Sequence, residues 1–220
     1  KWGVPRLMVD NEGTLWISMY DGGMTTWNKQ GFRAVFSSTN QPGRMLWSGK
    51  GEVVFAYGEG KLLWGKKRGE KMDWETVSLP AALPQEQACA DAEGRIWYLR
   101  SQPQIGIWEE GELRTCPLDV QLAGQQVKVL AAAQGKIWLG TDKALAQWQT
   151  DHFEVMTPTN GEPLLNVKRI VASGNSNLWV EANGRMRRCA GRQWVAESDG
   201  WKQELGRRIS LRFLQGDSKG

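Results

Sequence analysis

The stretch GKIWLGTDKALAQWQTDHFEV, residues 135–155, holds the pattern from which the fold can be read. Trp138 follows Gly135, Trp148 comes ten residues later, and Phe153 five after that. Nearly the same order returns along the whole chain. EGTLWIS (12–18), KGEVVFA (50–56), EGRIWYL (93–99), QGKIWLG (134–140) and NSNLWVE (175–181) carry their aromatic at Trp16, Phe55, Trp97, Trp138 and Trp179, the last three spaced by 41 residues. A second column, Trp27, Trp64, Trp108, Trp148 and Cys189, lies nine to eleven residues on. A third holds Phe32 or Phe36, Trp74, Phe153 and Trp194, with Leu113 and Cys116 in the third repeat. Ten of the 13 tryptophans fall in these columns, so packing within a repeat accounts for the excess.

Each unit reads as four short strands. In the fourth they are VKVLAAA, KIWLG, ALAQW and HFEVM, broken by glycine or by Asp/Asn-containing turns, with no sustained 3.6-residue periodicity. Four strands in about 40 residues make one blade of a β-propeller, whose two apolar faces need neighbouring blades to cover them. The expected fold is all-β: one propeller region over 1–220, with repeats at about 4–38, 43–79, 86–118, 126–158 and 167–197. ISLRFLQGDSKG (209–220) restarts the pattern as the first strand of a sixth repeat and stops where a Leu-Trp pair is due. An interrupted propeller leaves terminal sheet edges for further blades or self-association. Asp10, Asp91 and Asp217 each stand three residues before a glycine, which is the preference of a type I turn, so they are read as turn formers rather than as catalytic or calcium-binding groups.

The totals exclude several classes. Twenty-eight basic and 24 acidic side chains give a net charge of +4, too evenly spread for a nucleic-acid footprint. The basic runs GKKRGEKMDW (65–74) and GRMRRCAGRQW (184–194) read as solvated charge. Cys89, Cys116 and Cys189 form no Cys-x-x-Cys motif. On the blade reading, Cys89 and Cys116 occupy the innermost and outermost strands, about 14 Å apart. A bridge tolerates about 7 Å, so both are expected to stay reduced. The single histidine, His152, heads an outermost strand, and no phosphate loop, Gly-x-Ser-x-Gly or His-Glu-x-x-His motif is present. No catalytic residue, metal ligand or cofactor is therefore assigned.

The stretches VDNEGTLWISMYDGGMTTWNKQGF (9–32) and GKIWLGTDKALAQW (135–148) resemble the two-component regulator propeller repeat, Asp-x-x-Gly-x-Leu-Trp-hydrophobic-Gly-Thr followed by a turn and an aromatic. Trp16, Trp97, Trp138 and Trp179 match its signature tryptophan and Gly140-Thr141 its Gly-Thr. The second repeat departs with Phe55, and the fourth has Ala132 where the turn aspartate belongs. The resemblance implies the periplasmic sensor region of a bacterial membrane-bound signalling protein, typically a histidine kinase, with this chain as part of a seven-bladed propeller. Its partners would be the remaining blades, an output domain and possible second copies. Streptogramin-inactivating lyases share a similar rhythm, but their chemistry uses a channel histidine.

Propellers bind mostly at the mouth of the central channel. The loops expected there offer Tyr20, Asp21, Tyr57, Arg100, Asp142, Asn160, Asn183 and Trp201 as ligand-binding candidates. Polar groups beside Tyr and Trp suit a carbohydrate or another polar small ligand. A free-standing scaffold for protein partners is the alternative.

Overall fold

A computed structural model describes residues 6–9, 13–18, 24–28, 31–36, 44–57, 60–69, 71–80, 88–100, 104–118, 121–157, 163–173, 177–190 and 193–196. Among them there is no helix, and all regular structure is strand. Twenty strands form five four-stranded antiparallel sheets. The first sheet is β1 (Arg6–Val9), β2 (Leu15–Ser18), β3 (Met24–Asn28) and β4 (Gly31–Phe36). The second is β5 (Arg44–Gly49), β6 (Glu52–Tyr57), β7 (Lys61–Arg68) and β8 (Lys71–Ser78). The third is β9 (Ala88–Ala90), β10 (Ile96–Leu99), β11 (Gln104–Glu109) and β12 (Glu112–Pro117). The fourth is β13 (Val127–Ala133), β14 (Lys136–Thr141), β15 (Leu145–Trp148) and β16 (Phe153–Val155). The fifth is β17 (Arg169–Ser173), β18 (Asn177–Ala182), β19 (Arg185–Ala190) and β20 (Gln193–Ala196). In each sheet the strands lie side by side in chain order. The sixth-repeat strand expected at 209–220 lies outside the described residues, as do the turn aspartates Asp10 and Asp217.

The chain divides into two compact units, one of residues 1–100 and 107–114, the other of 101–106 and 115–220. In the first unit, the second sheet is covered on both faces. On one side Met45, Val53, Phe55 and Leu63 pack on Trp16 of the first sheet, with the Trp16 and Phe55 rings 5.6 Å apart. On the other, Val54, Leu62 and Trp64 meet Ala88, Ile96, Tyr98 and Trp108 of the third sheet. Trp64 and Trp108 cross edge to face, ring centroids 4.8 Å apart, an arrangement aromatic quadrupoles favour. In the second unit, Ala133, Trp138 and Leu145 of the fourth sheet pack against Ile170, Leu178, Val180, Ala182 and Cys189 of the fifth.

These contacts correct one alignment. Trp16 and Trp138 both turn toward the sheet that follows them in the chain. In the second sheet the residue that does so is Val54, while Phe55 turns back toward the first. Val53-Val54-Phe55 therefore corresponds to Leu15-Trp16-Ile17, and Phe55 is not the counterpart of the signature tryptophan. Because alternate residues of a strand face opposite ways, a shift of one position exchanges faces. Trp64 is displaced in the same sense, since it shares the Val54 face whereas Trp108 shares the Tyr98 face. Gly65 makes this possible: a Cβ there would lie 2.5 Å from Trp74, whose ring fills the space.

Cys89 lies in β9 and Cys116 in β12, the opposite edges of the third sheet, and no disulfide joins the three cysteines. His152 sits in the turn before β16, exposed, with Nδ1 2.7 Å from Asp151 Oδ1.

Candidate functional site

The Asp-x-x-Gly turn and the signature indole are one hydrogen-bonded unit in the third sheet. Asp91 follows β9 and is 6% exposed. Its Oδ1 accepts the backbone N–H groups of Glu93 (3.1 Å) and Arg95 (2.9 Å), closing the turn. Its Oδ2 accepts Arg95 Nε at 2.6 Å and the indole N–H of Trp97 at 2.8 Å. Burial alone would lower the Arg95 pKa; the hydrogen bond and charge of Asp91 outweigh it and hold the guanidinium above its ordinary value. The carboxylate is thus committed to the turn and the tryptophan. In the fourth sheet, where Ala132 replaces the aspartate, Trp138 donates its indole N–H to the Ala133 carbonyl at 3.1 Å. Among the described residues no group of three His, Cys, Asp or Glu side chains is placed to hold a metal ion.

The loop rim of the second unit is where two of the described candidate residues, Asp142 and Asn183, come together. Gly140 and Thr141 end β14. A Cβ on Gly140 would fall on Val167 and within 2.6 Å of Val129 Cγ1, so only glycine lets the incoming 163–168 segment cross this close. Thr141 is fully buried. Its hydroxyl accepts the N–H of Ala144 at 2.8 Å and donates to Gln125 Oε1 at 2.5 Å, while its carbonyl accepts the N–H of Val167 at 2.9 Å.

Asp142 comes next. Its Oδ1 accepts the N–H of Gln126 at 2.8 Å, its own N–H donates to the Gln126 carbonyl at 3.0 Å, and its carbonyl accepts the N–H of Asn166 at 2.9 Å. Asn183 acts on the same segment from the fifth sheet. Its Oδ1 accepts the N–H of Leu165 at 3.0 Å, its Nδ2 donates to the Pro163 carbonyl at 3.0 Å, and its backbone N–H donates to the Leu165 carbonyl at 2.8 Å. Asn183 and Gly184 have φ of 55° and 72° and join the paired Ala182 and Arg185, the two-residue type I′ hairpin that Asn-Gly favours. Two sequence-predicted binding residues thus fix one stretch of loop, 163–166. Nearby, Lys168 donates its N–H to the Glu181 carbonyl at 2.9 Å, and the Glu181 and Arg169 side chains stand 3.7 Å apart.

The other candidates are placed less fully. Arg100, partly buried, follows β10, and burial pushes the Tyr98 phenol up against the opposing charge of Arg100. Tyr57 ends β6 with its backbone paired to Lys61. Tyr20, Asp21, Asn160 and Trp201 lie outside the described residues. Counted from the signature position, Tyr57 and Arg100 occupy the place of Thr141, and Tyr20 that of Asp142 and Asn183. Five of the eight candidates therefore fall on two successive positions of the repeat. Sequence reasoning missed the part played by Gln125, Gln126 and Asn166, which serve this rim mainly through backbone groups or a single amide. The Gly140-Thr141 pair was the signal that could have pointed to them.

No family model matches the chain, and no curated protein matches it. Solved structures do. YCF48 bound to D1 peptide is 14% identical over 84% of this chain and 64% of its own, with a TM-score of 0.60. The β-propeller domain of Cps50 (Swd1) from Myceliophteria thermophila is 13% identical over 86% and 65%, TM-score 0.60. What is shared is the β-propeller fold. An extracellular domain assigned to a hybrid two-component system of B. thetaiotaomicron is also similar, at 13% identity over 89% of this chain and 27% of its own, TM-score 0.57. The chain thus spans less than two thirds of the length of each of these structures.

Proposed function

We propose that the five sheets are blades of one propeller, with a sixth begun at 209–220 and seven in the whole ring, and that the propeller is the periplasmic sensory module of a bacterial two-component signalling protein. On this reading the segment is non-catalytic, and it passes a binding event to a kinase or similar output domain. The observation that carries the reading is the Asp91–Arg95–Trp97 unit together with the Gly140–Thr141 crossing. Asp91, Trp97, Gly140 and Thr141 stand at positions of the two-component regulator propeller pattern, and each has a definite physical task. The likeness to an extracellular two-component domain supports the same reading.

The ligand proposed is a carbohydrate or similar polar small molecule at the loop rim, met by Tyr20, Asp21, Tyr57, Arg100, Asp142, Asn160, Asn183 and Trp201. Aromatic faces would supply contact area and amides would fix orientation. Signalling requires that the ligand bind one arrangement of the propeller, or of a homodimer across the membrane, more tightly than another. A scaffold for protein partners is the second reading, favoured by the likeness to a structure holding a peptide.

Calorimetric titration with a glycan panel tests between them. The sensory reading expects one glycan class to bind and the affinity to fall on Tyr20→Ala, Trp201→Ala or Arg100→Ala. No glycan binding, with an extended peptide bound instead, overturns it in favour of the scaffold.

A further inference from the structure

An arginine recurs at one place in the repeat. Arg6 begins β1 opposite Ser18, Arg44 begins β5 opposite Ala56, and Arg169 begins β17 opposite Glu181. Ser18, Ala56 and Glu181 each stand two residues after the signature position (Trp16, Val54 and Trp179), so the three arginines are equivalent. In the fourth sheet that place falls at a bulge, and Lys128 stands within it, between the partners of Thr141 and Gly140. In the sequence Arg208, 39 residues after Arg169, opens the sixth repeat with the same Arg-Ile pair.

Local structure does not account for these charges. Cross-strand pairing serves the fifth sheet, where Arg169 Nε stands 3.7 Å from Glu181 Oε2. The cross-strand partners of Arg6 and Arg44, Ser18 and Ala56, carry no charge, and Lys128 Nζ donates to an amide oxygen, Gln126 Oε1, at 2.5 Å. Nor does burial demand them: Lys128 is exposed and the Arg169 side chain is 34% exposed.

The place they hold is the rim. In the second unit β13 and β17 lie side by side, and the residues that lead into Lys128 and Arg169 are tied to the Thr141-Asp142 pair. Gln126 bonds to Asp142, and the N–H groups of Asn166 and Val167 donate to the Asp142 and Thr141 carbonyls. Lys143, Lys168 and Arg185 are exposed at the same rim, against the carboxylates of Asp142 and Glu181, and the Gln126 N–H already engages Asp142. Cations gathered on one edge repel one another and draw in an anion.

We propose that Arg169 and Lys128 form an anion subsite at the rim of the second unit, and that the glycan bound there carries carboxylate or sulfate groups. This rests on the reading of the rim as a glycan site and narrows its ligand to an acidic class. A guanidinium presents paired donors to either oxyanion. Glu181 is then the rival within the chain, since a ligand anion competes with it for Arg169.

Calorimetric titration of the protein encoded by the full reading frame tests the proposal with two matched pairs. One is an oligogalacturonate and its methyl ester, the other a sulfated carrageenan oligosaccharide and its desulfated form. The acidic member of at least one pair is expected to bind about tenfold or more tighter than its neutral counterpart, the pair that responds telling carboxylate from sulfate. Arg169→Ala and Lys128→Ala should each weaken that binding about tenfold, and Glu181→Gln should tighten it. Lys128 is exposed, so its variant keeps the fold and reports on binding even where Arg169→Ala does not. Lys67→Ala, an exposed cation of β7 in the first unit, should change nothing. Acidic and neutral members that bind alike or not at all overturn the proposal, and so does an equal loss with Lys67→Ala. A neutral glycan bound without regard to Arg169 removes this proposal and leaves the sensory reading standing. An acidic glycan bound through Arg169 in a protein without an output domain does the reverse.

Discussion

The indole N–H of Trp97 donates to the carboxylate of Asp91 across 2.8 Å in a site closed to solvent, so the turn residue and the packing residue of the repeat are one device. Asp91→Ala removes the acceptor of that bond and of two turn amides. The loss expected is about 3 kcal/mol, since a buried donor left without a partner costs about 1–3 kcal/mol. Asp91→Asn keeps one acceptor oxygen and is expected to lose less. A double-mutant cycle with Trp97→Phe, read by urea denaturation, checks the pairing: the coupling should be favourable and larger than about 0.5 kcal/mol.

Gly140 is where chain meets chain. Gly140→Ala places a methyl group against Val129 and Val167 and is expected to destabilise by about 1–3 kcal/mol, the usual cost of overpacking. Val167→Ala on the same background should recover part of that loss, as thermal denaturation of the single and double variants would show.

Asn183 separates backbone from side chain. Asn183→Gly keeps the positive φ and the backbone bond to Leu165 but loses the side-chain bonds to Pro163 and Leu165, whereas Asn183→Ala loses those bonds and strains the positive φ. The expected order of stability is wild type, then glycine, then alanine, with alanine lower than wild type by about 1–3 kcal/mol. Amide hydrogen exchange at Leu165 should rise in both variants, because its N–H acceptor is the Asn183 side chain.

Alkaline pH should weaken the fold. Burial pushes the Cys116 and Cys189 thiols and the Tyr98 phenol up, so the folded chain holds these protons more tightly than the unfolded one. A raised folded-state pKa contributes stability that is present below the unfolded value and is lost as pH rises from there through the folded value. Stability should therefore fall from about pH 8.5, the ordinary thiol value. Cys189→Ala is expected to flatten that fall while lowering stability at pH 7, in denaturation midpoints measured from pH 7 to 10.

Strand placement was legible in the sequence because it rests on local chemistry. The Leu-Trp and Ile-Trp pairs and the third-strand and fourth-strand aromatics fall in the strands expected of them, and the Asp91 turn falls between two strands. Facing was less legible. Phe55 matched the signature column by residue type, yet counted from the turn glycine the counterpart is Val54, three residues after Gly51 as Trp138 is three after Gly135. Both hairpins turn on two residues, Lys50-Gly51 and Gln134-Gly135, so the faces follow the glycine, and an alignment by residue type sets Phe55 one position late and on the opposite face. The rim was legible only as a set of polar loop residues. That Asp142 and Asn183 grip Gln126 and the 163–166 segment depends on partners 16 to 20 residues away, a separation that local patterns do not report.

The central claim is that, within each unit, a sheet turns its signature position toward the sheet that follows it and its flanking residues toward the one before. Nuclear Overhauser contacts in a sample with only its Phe and Trp rings protonated test this at the position where type and facing disagree. The account predicts cross-peaks between Phe55 and Trp16, and between Trp64 and Trp108. Cross-peaks from Phe55 to Trp108, with none to Trp16, would contradict it.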